Sequence, residues 1–276
     1  MNILVTGGRG FIGTNLVEYL SREGHTILVL DNMTSGARRG ILVDVKYVVG
    51  CCSQINELED YNPDVVIHLG EYARVQQSFE EPLYAMKNIT STLPHVLDYC
   101  RVTNAKMIYA GSSTKFGNAE SPYSISKATN TMLVDSYCKM FDIPYAITYF
   151  YNAYGKLECA SGFYATAVAK FINAKKKGLD VVIYGDGMQR RNFTNVKDIV
   201  SGISSVMHYG NGDGYGIGSD ESYSVLELAQ MINNNYRFAA QAAGNRTSAT
   251  LDTAKTKSLG WEAKRKLHNY IQGELK

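Results

Sequence analysis

The sequence predicts an α/β protein built on a doubly wound parallel sheet, with a smaller C-terminal lobe interleaved with it. Three observations carry this. Short, unbroken apolar runs alternate with amphipathic stretches through the N-terminal half. A glycine-rich turn follows the first run, and an acid closes the second. After about Tyr154 the alternation loosens, although no linker cuts the chain.

The chain has 276 residues, of which 45% are hydrophobic and 20% charged, enough for a large core. A net charge of +2 gives no large single-sign field, so no nucleic acid and no membrane surface is expected as a partner. An anionic ligand must be held locally. Met1 runs straight into Asn-Ile-Leu-Val-Thr-Gly-Gly, with no basic segment before an apolar stretch and no later apolar window long enough to span a bilayer. A cytoplasmic enzyme is the expectation. Cys51, Cys52, Cys100, Cys138 and Cys159 are odd in number and lack metal-ligand spacing, so they read as small buried side chains, with no disulfide framework and no metal.

The predicted strands are Ile3–Val5, Thr26–Leu30, Val65–Ile67, Lys106–Tyr109 and Tyr145–Tyr149, with helical patterns from Gly13 to Glu23 and from Pro82 to Arg101 between them. Beyond Tyr154 come a helix from Tyr164 to Lys177, a strand at Val181–Tyr184, a turn at Gly185–Gly187, and helices near Val196–His208 and Val225–Asn233. Glycine-rich chain leads up to Gly218. The expected division gives residues 1–154 and about 192–218 to a dinucleotide-binding domain, and about 155–191 and 219–276 to a substrate-binding lobe.

Thr6-Gly7-Gly8-Arg9-Gly10-Phe11-Ile12-Gly13 sits between the first strand and the first helix. Gly7 permits the tight turn, Gly10 lets backbone approach a pyrophosphate, and Gly13 lets the helix pack on the strand. The helix N-terminus offers amide donors to the phosphates. Asp31 ends the second strand, where a carboxylate accepts hydrogen bonds from ribose hydroxyls and repels a 2′-phosphate, so NAD is favoured over NADP despite Arg38 and Arg39 nearby.

Ser121-Pro122-Tyr123-Ser124-Ile125-Ser126-Lys127 places Tyr123 and Lys127 four residues apart, on one face at the start of a helix. A tyrosine, ordinarily titrating near 10, works as a base at neutral pH only with cationic help, which Lys127 and an oxidised nicotinamide would supply. Before it, Tyr109-Ala110-Gly111-Ser112-Ser113-Thr114 ends a strand in hydroxyl residues able to hold a proton path in line.

With the glycine loop, this Ser, Tyr and Lys combination resembles the extended short-chain dehydrogenase family of nucleotide-sugar epimerases, dehydratases and reductases, nearest to its UDP-glucose 4-epimerase-like members. Asp64-Val65-Val66-Ile67-His68-Leu69, Asn88, Asn152-Ala153-Tyr154-Gly155, Arg191-Asn192-Phe193 with Asp198, and Leu259-Gly260-Trp261 extend the likeness over nearly the whole chain. The resemblance implies a Rossmann domain and NAD as cofactor, with Ser112, Tyr123 and Lys127 as the catalytic group. The cofactor would meet Gly7, Gly10, Phe11, Ile12, Gly13, Asp31, Asn32, Leu69, Gly70, Asn88, Tyr123 and Lys127. Thr114, Asn152 and Arg191 would meet a nucleotide-diphosphate sugar, Arg191 through its diphosphate. The helices from Pro82 to Arg101 and from Tyr123 to Phe141 would form a homodimer interface, with Leu93, Leu97, Met132, Leu133 and Tyr137 contributing.

Departures from the family pattern narrow the reading. The dehydratases' acid pair after the catalytic hydroxyl is Ser113-Thr114 here, which disfavours dehydration. Gly70-Glu71 replaces Ala-Ala after His-Leu and puts a carboxylate near the cofactor. Gly50-Cys51 replaces Gly-Asp at the adenine, and Ala242-Ala243-Gly244-Asn245 lacks the expected basic residue, for which Arg246 could substitute. The interval from Ser112 to Tyr123 is short, so the site is expected to be more open. The chain therefore reads as an NAD-dependent nucleotide-sugar epimerase acting by transient oxidation at C4. The alternatives are a 4-keto reductase or dehydrogenase of the same family and a non-catalytic dinucleotide sensor.

Overall fold

The computed structural model describes residues 1–34, 42–58, 60–116, 121–162, 164–241 and 250–276. Arg38, Arg39, Ala242–Asn245 and Arg246 lie outside the described residues. Strands β1 (Asn2–Thr6), β2 (Thr26–Asp31), β3 (Val45–Val49), β4 (Val65–His68), β5 (Lys106–Ala110) and β6 (Tyr145–Phe150) alternate with helices α1 (Phe11–Arg22), α2 (Gln77–Glu80), α3 (Pro82–Thr90), α4 (Leu93–Thr103) and α5 (Pro122–Met140). There follow β7 (Ala153–Tyr154), α6 (Ala167–Lys176), β8 (Val181–Tyr184), β9 (Arg190–Arg191), β10 (Thr194–Asn195), α7 (Val196–Tyr209) and β11 (Gly212–Ile217). The chain ends with β12 (Tyr223–Ser224), α8 (Val225–Ile232), β13 (Tyr236–Ala239), α9 (Ala254–Lys257) and α10 (Leu267–Leu275).

Seven strands form one sheet in the order β11-β6-β5-β4-β1-β2-β3, parallel throughout. Both faces are covered, which is why the strands read as continuous apolar runs: in β1, Ile3 and Val5 enter one core while Leu4 enters the other. The first core contains Leu16, Val17 and Leu20 of α1 with Ile199, Ile203 and Val206 of α7, and the second contains Val96 and Leu97 of α4 with Val134 of α5. Each such side chain contributes about 1.5–3 kcal/mol by burial. A third core, from Tyr154, Phe171, Ile172, Ile183, Phe193, Leu228, Leu267 and Ile271, joins α6, β8, α8 and α10. Among the described residues, no helix is long and apolar enough to cross a membrane.

Several sequence expectations change. The helix expected from Pro82 to Arg101 is two helices, broken at Ser91–Thr92. Pro94 sits in the first turn of α4, where its missing N–H costs nothing, and an uninterrupted helix would drive its ring into the carbonyl four residues back. Leu93 and Leu97 are fully buried in the protein's own core rather than presented to a partner, and Leu133 and Tyr137 pack against that core. Met132 is 71% exposed. The helix expected from Tyr164 begins only at Ala167, because Thr166 caps it by accepting a hydrogen bond from Ala169 N–H. Strands β3 and β11, unread in the sequence, form the two edges of the sheet.

Strand order reverses between β1 and β4, opening a crevice at their carboxyl ends. The candidate site lies there.

Candidate functional site

A cavity of about 530 Å³ runs from the glycine turn across the ends of β1, β4 and β5 to α6. Gly7 has φ +68, and a Cβ there would stand 2.7 Å from the Leu69 backbone. At Gly13 a Cβ would fall 2.1 Å from the Gly7 carbonyl oxygen. The turn therefore accepts only glycine at these positions, which brings α1 tightly under the cavity. Gly10 caps α1 without a side-chain acceptor, and no acid lies in the first helical turn, so its amides have no side chain answering them.

Asp31 is buried at the mouth of this cradle, accepting hydrogen bonds from Arg9 N–H and Met33 N–H, each at 2.8 Å. Phe11, Ile12, Asn32, Leu69, Gly70 and Asn88 line the same cavity. Two cysteines depart from the buried reading: Cys51 and Cys159 are half-buried and also line the cavity. Burial pushes the neighbouring Cys52 thiol up to about 12, so it stays protonated. All five cysteines are unpaired, and among the described residues no group of three or more His, Cys, Asp or Glu is placed to hold a metal.

The catalytic end is built by β4, β5 and the start of α5. Ser121 and Ser124 form a reciprocal cap, each side chain accepting from the other's backbone N–H at 3.0 Å, with Pro122 in the first turn. Tyr123 N–H donates to the buried Ser78 Oγ at 3.3 Å, and the Tyr123 ring packs against Tyr72, Ala85 and Ile89. Helix geometry then turns Tyr123 and Lys127 to the cavity together, with Ser112 on its wall. Ser112 Oγ accepts from Thr114 N–H at 3.2 Å and from Thr114 Oγ1 at 2.8 Å. Its own proton is left to donate.

Lys127, expected to help the phenol as a cation, is itself paired with a carboxylate. Its Nζ donates to Glu71 Oε2 at 2.5 Å, Ala110 carbonyl at 2.5 Å and Tyr109 OH at 2.9 Å, which takes up all three ammonium donors. Glu71, only 5% exposed, also accepts from Asn130 Nδ2 at 2.8 Å and from Tyr109 OH at 3.0 Å, with His68 Nε2 3.4 Å from its other face. Burial opposes ionisation of Glu71, but Lys127 and His68 outweigh it and hold the carboxyl down at about 2. Burial and the adjacent Glu71 push the Tyr109 phenol up, so it acts as a donor. The sequence marked Glu71 only as a departure. Asn130 and Tyr109 gave no signal as its partners.

At the far end, Asn152, with φ +31, lines the cavity beside Phe193. Thr114 is buried behind Ser112 rather than on the cavity wall. Arg191 stands outside the lining, its Nη1 donating to the Arg190 carbonyl at 2.8 Å. Arg74, Tyr164 and Lys170, which the sequence reading passed over, do line it.

Comparison with known proteins identifies the family. The model of the NAD dependent epimerase/dehydratase family matches residues 3–218. A protein of Methanocaldococcus jannaschii described as a putative UDP-glucose 4-epimerase is 30% identical, over 94% of this chain and 92% of its own length. A UDP-N-acetyl-alpha-D-glucosaminuronate decarboxylase of Bacillus cytotoxicus is 29% identical, over 83% and 78%. The crystal structure of a UDP-glucose 4-epimerase from Thermotoga maritima with UDP-glucose superposes with a TM-score of 0.92 at 26% identity, covering 100% of this chain and 97% of that one.

Proposed function

The chain belongs to the NAD-dependent epimerase/dehydratase family, and on that premise we propose that it is a nucleotide-diphosphate sugar epimerase that oxidises the sugar transiently, at C4, and returns the hydride to the opposite face. The family's cofactor is NAD, and the cradle fits it: two glycines with no room for a Cβ, unanswered helix amides and a buried acid at the ribose position. When bound, NAD supplies hydride acceptance and return. Tyr123 would take the sugar hydroxyl proton and give it back. Ser112, its lone pairs engaged by Thr114, would donate to the reacting oxygen and hold it in line. Lys127, with its donors taken, would act as part of the rigid floor under the phenol. Asn152 would meet the diphosphate region.

The observation that carries epimerisation over dehydration is the set of acids in the cavity. Among its described lining residues only Asp31 and Glu71 are carboxylates. Asp31 is held at the cofactor end, and Glu71 is pinned by Lys127 and Asn130. Neither is poised to protonate a leaving hydroxyl.

The test is incubation with UDP-, dTDP-, GDP- and CDP-sugars with NAD and no added reductant. Epimer formation that Tyr123→Phe abolishes supports the reading. Turnover only with a stoichiometric reductant would make the protein a keto reductase, and no turnover of any sugar by the parent would favour a dinucleotide sensor. The exposed apolar residues of α3 and α5, Leu83 at 79%, Ile125 at 52% and Met132 at 71%, support a homodimer through these helices. Sedimentation of the parent and of Leu83→Glu decides it.

A further inference from the structure

The sugar end of the cavity holds two cations that no carboxylate answers. Arg74, in the chain between β4 and α2, is half-buried, its Nη2 donating to the Tyr164 carbonyl and its guanidinium lying 5.3 Å over the Tyr164 ring. Its Nε is buried with no hydrogen-bond partner. Lys170 of α6 lines the same wall. Among the described residues neither forms an ion pair, in contrast with Lys127, whose charge is matched by Glu71. Burial pushes the Arg74 guanidinium down, opposed by Cys159 and by the phenols of Tyr123, Tyr164 and Tyr72. Burial, with Arg74 adding to it, pushes Lys170 down as well. An unmatched, partly desolvated guanidinium with an orphan donor is costly unless a ligand completes it.

The position of Arg74 selects the ligand. It shares the end of the cavity with Tyr123, where a C4 hydroxyl would react, and C5 is the neighbouring ring carbon. We propose that Arg74, assisted by Lys170, binds a carboxylate carried on C5 of the sugar, so that the substrate is a nucleotide-linked hexuronic acid. A planar guanidinium with Nε and Nη donors free of carboxylate is suited to a bidentate carboxylate. This rests on the epimerase reading for the placement of C4 at Tyr123.

The experiment compares UDP-glucuronate with UDP-glucose, and the dTDP pair likewise, for turnover by the NAD-loaded protein and for binding by calorimetry. The expected kcat/KM is about 30- to 100-fold higher for the uronate, the size of a charge-assisted hydrogen-bond pair. Binding should show a similar preference, collapsing toward unity in Arg74→Gln and partly retained in Arg74→Lys. Equal preference for the neutral sugar in the parent would overturn the proposal, as would Arg74→Gln weakening both sugars alike, the pattern of a diphosphate ligand. Uronate bound selectively through Arg74 but turned over to nothing would sink the epimerase reading and leave the carboxylate site standing. So would conversion to a pentose, in which the C5–C6 bond breaks, CO2 leaves from beside the C4 ketone, and C5 takes a proton.

Discussion

Replacing Glu71 by Gln keeps the shape of the side chain and removes one buried charge. An amide must then turn an N–H toward donors, because Lys127, Asn130 and Tyr109 all donate to this position. The Glu71 carboxyl is held at about 2 against an ordinary 4.5. At about 1.4 kcal/mol per pH unit, that difference is worth about 3 kcal/mol of folding stability, near the low end of what breaking a buried ion pair costs. The sign follows from the direction: a depressed carboxyl stabilises the native state fully above 4.5, and the contribution drains away as pH falls toward 2. Parent and Glu71→Gln should therefore differ by about 3 kcal/mol in urea unfolding at pH 7 and at pH 5. By pH 3.5 the gap should shrink by about 1.4 kcal/mol. A gap equally large at pH 3.5 and pH 7 would mean that only packing was lost, and no gap at pH 7 would mean that Glu71 and Lys127 do not form the pair described here.

Gly13→Ala puts a Cβ 2.1 Å from the Gly7 carbonyl, so NAD binding measured by calorimetry should be lost and the melting temperature should fall sharply; wild-type affinity would refute the cradle. Asp31→Ser removes the carboxylate proposed to meet the ribose, and the preference for NAD over NADP in direct titration should drop at least about tenfold. Glu158 has the opposite sign from Glu71. Burial pushes its carboxyl up to about 7 against the hydrogen bonds from Thr166 and Tyr270, so ionisation costs stability as pH rises from 4.5 through 7. Glu158→Gln should accordingly raise stability at pH 8 by about 3 kcal/mol and leave it nearly unchanged at pH 4, read from melting curves at both.

The parallel sheet was legible because its signals are local. Five of its strands are unbroken apolar runs, and the turn from Thr6 to Gly13 carries its own steric logic within eight residues. β11 was hidden because its glycines dilute the apolar pattern, yet one of them is obligatory: a Cβ on Gly216 would fall 1.7 Å from the Asp252 carbonyl oxygen, a neighbour supplied by the distant C-terminal chain. β3, at the other edge, spans only five positions and buries just one of them, Val45, with Lys46 and Val49 exposed. The broken helix at Ser91–Thr92 could have been read from Pro94, which cannot sit in a helix interior.

For the site, the sequence by itself determined which groups would gather. The glycine turn, Asp31, Ser112, Tyr123 and Lys127 each end or begin an element at the carboxyl edge of the sheet, so the order of elements brings them together. Only the tertiary structure decided how their charges are balanced. Glu71, in the chain just after β4, meets Lys127 and Asn130 from α5 and Tyr109 from β5, whereas Arg74, three residues beyond Glu71, meets a carbonyl 90 residues away and no carboxylate. The strength of a charge depends on which other charges share its low-dielectric surroundings. Sequence spacing does not encode that, because those neighbours converge only when the sheet, its covering helices and the smaller lobe close around the cavity.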